Sequence, residues 1–129
     1  MLARSTARAL LFIAAVPTLS DQPAHPQERA FLNSDEVRQT VVGRGIISRN
    51  LQSGMVSHWE FFEDGRVEFA NRSGPGSATG TWSLRPDGAM CVSMLAHTGC
   101  RYWFRSAAGI ANADSPKPDA PTVAEVKFE

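Results

Sequence analysis

Two Asp-Gly pairs, Asp64-Gly65 and Asp87-Gly88, each lie between short segments in which every second residue is apolar. Glycine accepts the left-handed backbone that a tight reversal demands, and an Asp side chain can bond the main chain just beyond it. Flanked in this way, such pairs mark β-hairpins. Hairpins join antiparallel strands, whereas a parallel sheet needs long crossovers, usually helical. Beyond Gly43 the chain has no helical period to supply them.

Alternation selects the register of the first hairpin. A two-residue turn would pair Phe62 with Val67 and Trp59 with Ala70, setting Glu60 on the face of Phe69. A three-residue loop, Glu63-Asp64-Gly65, with Gly65 left-handed in a bulge, pairs Phe61 with Val67 and Trp59 with Phe69. All four apolar residues then share one face, so this register is expected, with Glu60 opposite Glu68 on the outer face. Arg85-Pro86-Asp87-Gly88-Ala89 reads as the same turn and gathers Trp82, Leu84, Met90 and Val92 on one face.

The next reversal leaves a conflict. If Cys91 and Cys100 are directly opposed, Met94 faces His97 and Leu95-Ala96 make the turn. The cysteines then share a face with Tyr102 and leave Trp103 with Arg101 and Arg105. That takes Cys91 off the inward face of Trp82 and Val92, so either a bulge intervenes or one phase is wrong.

Strands are expected at Gly45–Arg49, Val56–Phe62, Arg66–Asn71, Gly80–Arg85, Ala89–Met94, Cys100–Ser106 and Val123–Phe128. The Pro-rich segment Ile110–Pro121 is read as a long loop and excluded from a central strand. Ahead of the strands, Asn33 or Ser34 can cap a helix, Asp35 and Glu36 suit its positive end, and Gly43 stops it. This predicts a helix over 34–42 with Val37 and Val41 on its buried face. The expected fold is mainly β: a small antiparallel meander or barrel of about six or seven strands, preceded by one short helix.

Residues 1–20 read as a secretory signal peptide. Arg4 and Arg8 precede the apolar run Ala9–Val16, and Thr18 and Ser20 suit a cleavage site. The run is too short to span a membrane, which takes about 20 apolar residues. Residues 21–32 read as a linker, polar and Pro-bearing over Asp21–Pro26, and 33–129 as a single β-rich domain. Export implies a periplasmic or secreted protein and an oxidising compartment, where Cys91 and Cys100 are expected to form a disulfide. Formal charge is zero over the whole chain. That excludes a strongly basic nucleic-acid binder and an acidic tail protein.

The order of helix, Gly43, Phe61-Phe62-Glu63-Asp64-Gly65, Gly80-Thr81-Trp82, Pro86-Asp87-Gly88-Ala89-Met90-Cys91 and Cys100-Arg101-Tyr102-Trp103 resembles a family of small exported proteins of rhizobia and related proteobacteria. That family is a domain of unknown function with a lipocalin-like β-barrel flavour, and the resemblance covers about 32–109. It implies a fold and export, and it carries over no catalytic residues. Gly80-Thr81-Trp82 is also similar to the lipocalin Gly-x-Trp, which there opens the first strand and here lies mid-chain.

No residue pattern orders a catalytic centre. The Gly-x-Ser-x-Gly elbow is missing, and Gly74-Pro75-Gly76 is not followed by the Lys of a phosphate loop. Asn71-Arg72-Ser73 matches a glycosylation sequon, idle in a bacterial protein. His58 and Glu60 share an outer face and could bind a metal or pass a proton, but they also read as ordinary polar surface. His97 with Met94 supplies two soft-metal ligands, too few for a site. No metal and no cofactor are therefore expected.

Arg101, Trp103 and Arg105 are the candidate ligand-binding residues: together they offer flat apolar area and directional donors. The expected function is a noncatalytic exported binding module for a small amphipathic molecule or an envelope component, monomeric and without a membrane span. Two other readings stand beside it. One is a periplasmic inhibitor or envelope-stress factor acting through an exposed loop such as Ile110–Pro121. The other is a small metal-dependent enzyme, which would need His58, His97 and a carboxylate to converge.

Overall fold

The computed structural model describes residues 28–129. The expected signal peptide, 1–20, and residues 21–27 of the expected linker lie outside the described residues. The elements run β1 Ala30–Phe31, α1 Ser34–Val41, β2 Gly45–Asn50, β3 Val56–Phe61, β4 Arg66–Asn71, β5 Ser77–Leu84, β6 Met90–Met94, β7 His97–Ser106, β8 Gly109–Ala113 and β9 Thr122–Phe128. From β2 to β9 each strand pairs antiparallel with the next, and β9 closes on β2 through Ile46↔Phe128 to Asn50↔Ala124. The result is a closed eight-stranded barrel. β1 stands outside that ring and adds to β7 through Phe31↔Phe104.

Eight barrel strands replace the expected six or seven, and the missed one is β8. It is a central strand, paired to β7 through Phe104↔Ala111 and to β9 through Asn112↔Ala124. All three prolines of the segment, Pro116, Pro118 and Pro121, lie beyond Ala113. Composition averaged over the whole segment hides a Pro-free strand next to a Pro-rich loop of residues 114–121. The expected start of β7 at Cys100 moves to His97, and that of β5 from Gly80 to Ser77.

Local chemistry accounts for the rest. Asn33 Oδ1 accepts from the Glu36 amide at 2.8 Å while Glu36 Oε1 accepts from the Asn33 amide at 3.1 Å, a reciprocal cap on α1. Val37 and Val41 are fully buried. The first Asp-Gly hairpin has Phe61↔Val67 and Trp59↔Phe69, with Gly65 at φ +92° and Glu60 opposite Glu68. The second has Leu84↔Met90 and Trp82↔Val92, with Gly88 at φ +92°.

The conflict over the third reversal dissolves. Cys91 pairs Cys100 and Met94 pairs His97, while Trp82 still pairs Val92. No bulge intervenes and both phases hold, because the Cys91–Cys100 disulfide staples two strands on the barrel's outer face. A cross-strand bond needs two opposed residues on one face, not a buried face. The turn itself places Leu95 and Ala96 at φ 51° and 64°, the doubly left-handed geometry of a two-residue hairpin.

The antiparallel order puts α1 and the turns at 62–65, 85–89 and 107–108 at one end of the barrel. There Val37 and Val41 pack with Leu32, Ile46, Phe61, Val67 and Trp82. Arg38 lies over the Trp82 ring at 5.5 Å, and Trp82 Nε1 donates to Phe62 O at 2.7 Å. The helix is a plug.

Candidate functional site

The opposite end is bounded by residues 51–55, 72–76, 95–96 and 114–121, and no helix covers it among the described residues. Strand alternation turns Ile46, Ser48 and Asn50 of β2 inward, with Ser57, Trp59 and Phe61 of β3. These meet Val92 and Met94 of β6, His97, Gly99, Arg101 and Trp103 of β7, and Asn112 of β8, around a cavity of about 290 Å³. Met55, Met90, Val123 and Ala124 complete the wall. That volume sits at the lower edge of ligand pockets, which run from about 300 to 1,000 Å³.

Small and polar side chains make the space. An eight-stranded barrel is just wide enough for its inward side chains to fill it. At the upper layers those positions hold Ser48, Asn50, Ser57 and Gly99 instead of large apolar groups. A Cβ added at Gly99 would meet nothing within 4 Å, whereas one at Gly80 would collide with Ser93 O at 2.2 Å. Gly99 is therefore cavity, and Gly80 is close packing.

The polar inventory of the wall is uneven. Trp59 Nε1 donates to Ser57 Oγ at 2.9 Å. Trp103 Nε1 and Asn112 Oδ1, on directly paired residues, have no hydrogen-bond partner among the described residues although both are shut off from bulk solvent. Trp103 is 5% and Asn112 6% exposed. An unpaired buried donor or acceptor costs about 1–3 kcal/mol, so this wall holds one donor and one acceptor that a suitable partner would satisfy.

The three candidate residues from the sequence do share one inward face, in register with Met90, Asn112 and Ile110. Arg101 and Trp103 line the cavity. Trp103 belongs to the core. The Arg101 guanidinium is engaged, donating to Asp114 Oδ1 at 2.6 Å and to Cys100 O at 3.1 Å. Arg105 lies toward the plugged end and donates to Thr40 of α1 at 3.1 Å, away from the cavity.

His58 and His97 do not converge. His58 is on the outer face with its Nε2 3.1 Å from Glu129 Oε2, and His97 is at the cavity. Among the described residues no group of three or more His, Cys, Asp or Glu could hold a metal. Outside the barrel, Tyr102 donates to Asp87 Oδ2 at 2.9 Å. The Ala89 amide and this Tyr102 hydroxyl hold the Asp87 carboxyl below its ordinary value, and the Asp87 bond raises the Tyr102 phenol.

Sequence reasoning missed Met55, Ser48, Asn50 and Asn112 as wall residues. A signal was present: once Trp59 and Val92 are inward, Ser57 and Gly99 must be inward too, and small groups there leave space. No family model, curated protein or solved structure matches this chain.

Proposed function

We propose that this protein is a noncatalytic binding module that holds a small amphipathic molecule in the open half of its barrel, in the periplasm or outside the cell. The observation that carries this reading is the cavity walled by Trp59, Met55, Met90, Val92 and Met94 at the end α1 leaves uncovered. Methionine side chains adapt to varied apolar shapes, and tryptophan offers broad apolar area. Ser48, Ser57 and Asn112 add polar points. Among the described residues the wall bears no carboxylate and no cysteine, and His97 is its one imidazole, which supports binding over acid–base or nucleophilic chemistry. The outer-face disulfide and the expected signal peptide support export.

The test is titration with the neutral fluorescent dye N-phenyl-1-naphthylamine, with competition by apolar molecules. Saturable binding that is lost in Gly99→Phe, which fills open space, supports the reading. A folded protein that takes up neither dye nor competitor refutes it.

One observation favours a second reading, a protein-docking tip. Leu95 is 77% exposed at the end of the disulfide-stapled β6–β7 hairpin. This moves the expected exposed loop from Ile110–Pro121 to residues 94–97. Cross-linking that maps a partner to Leu95, with no cavity ligand, would favour it.

A further inference from the structure

The cavity contains a more specific chemical statement than its apolar wall. Trp103 and Asn112 are cross-strand partners, both line the cavity, and Trp103 Nε1 and Asn112 Oδ1 are each without a partner. One is only a donor and the other only an acceptor. A group that satisfies both at once must accept and donate. A hydroxyl does this with one atom, and a neutral amide with two.

Charged head groups fit less well. A carboxylate only accepts, so it pairs with Asn112 only through the amide's NH2 group and gives no donor to Asn112 Oδ1. It would also want a cation, and the arginine at the wall, Arg101, is held by Asp114 at 2.6 Å. Arg105 is held by Thr40, away from the cavity. An ammonium group only donates, so it would leave Trp103 Nε1 unpaired and face the Arg101 guanidinium. Resting on the binding-module reading, we infer that the ligand is uncharged and that its hydroxyl or amide head is buried against Trp103 and Asn112, its apolar body pointing to the mouth. In this structure both atoms are covered, so the head enters with a rotation of these side chains, the short Asn112 amide being the easier to turn.

Four probes of one chain length separate the alternatives: 1-decanol, decane, decanoate and decylamine, each displacing N-phenyl-1-naphthylamine. Decanol should bind about tenfold tighter than decane, the worth of about 1.4 kcal/mol, and tighter than either ion. Trp103→Phe keeps a flat ring without the N–H, and Asn112→Leu keeps the approximate size without the carbonyl. Each should bring decanol to within about threefold of decane measured on the same variant. Decanoate or decylamine binding tighter than decanol overturns the inference, as does a decanol preference that survives both variants. Those results leave the module reading standing, because the dye is still bound and displaced. Absence of dye binding and of all four probes removes both. If one variant fails to fold, the wild-type probe series still tests the uncharged head and the other variant tests its place.

Discussion

Following β2 and β3 from one end of the barrel to the other shows two different interiors on the same strands. At the α1 end the inward residues are Ile46 and Phe61, both nearly inaccessible and packed against Val37 and Val41. Toward the mouth they are Trp59, directly opposite Ile46, then Ser48 opposite Ser57, and finally Asn50. Backbone pairing is unbroken throughout, so pairing does not decide where the core stops. Side-chain volume at each inward layer decides it, together with the helix that completes the lower layer. Eight strands enclose a core where those groups are large and a pocket where they are small.

The sharpest way to break this comparison is to cut a large group from each half. Trp82 is 8% exposed in the plugged half and its indole N–H is bonded to Phe62 O. Trp82→Ala should cost about 3–5 kcal/mol, read as a lowered midpoint in a denaturant melt. A near-neutral result would mean that α1 and its neighbours do not form a tight plug. The disulfide ranks next. Its removal by Cys91→Ser with Cys100→Ser should cost about 2–3 kcal/mol and release the β6–β7 hairpin that carries Met94 and His97 at the mouth. Unchanged melting in non-reducing buffer would place the staple outside the stability of the fold.

The plugged half was the more legible from sequence. Asn33, Val37 and Val41 lie at helical spacing, and the Asp-Gly turns locked Phe61 to Val67 and Trp82 to Val92 by alternation alone. These are local signals, each contained within a dozen residues. The cavity depends on which strands meet across the closed ring. Asn50 next to Ala124, and Trp103 next to Asn112, are pairings between segments far apart or separated by a short turn that Pro116, Pro118 and Pro121 obscured. Composition averaged over residues 110–121 erased β8, and with it Asn112. Arg101, Trp103 and Arg105 were correctly grouped on a face, but β7 reaches from the mouth toward the plugged end, so one face of it serves both halves.

Gly99 sharpens the contrast without removing anything. Its inward side opens on space, and Gly80 presses against Ser93 O. Gly99→Phe should change stability by less than about 1 kcal/mol, since the ring gains burial without overpacking, yet it should eliminate dye uptake. Gly80→Ala should destabilise by about 1–3 kcal/mol by overpacking. Equal destabilisation at the two positions, measured in parallel urea melts, would mean that the inward side of Gly99 is as closely filled as that of Gly80.

The smallest effect concerns the outer face of the plugged end, where Tyr102 on β7 donates to Asp87 in the β5–β6 turn at 2.9 Å. The bond is strongest when an ionised carboxylate accepts, and it needs a protonated phenol to donate. The folded Asp87 carboxyl is held below its ordinary value of 3.8 by the Ala89 amide first and Tyr102 second. Its contribution is therefore present above pH 3.8 and is lost as pH falls through the lower folded value. The Tyr102 phenol is raised above 10.0 by the same bond. Its contribution is present below pH 10.0 and is lost as pH rises through the higher folded value. Both groups face solvent, so the bond stabilises weakly. Tyr102→Phe removes the donor and keeps the ring. Wild type should melt slightly above Tyr102→Phe across the neutral range, and the gap should close at both the acid and the alkaline limits. Dye affinity should be the same in the two proteins at neutral pH, because the bond lies outside the barrel wall. A melting gap that persists below pH 2 would assign the effect of the hydroxyl to something other than Asp87, and a change in dye affinity would mean that the outer face of the plugged end is coupled to the open cavity.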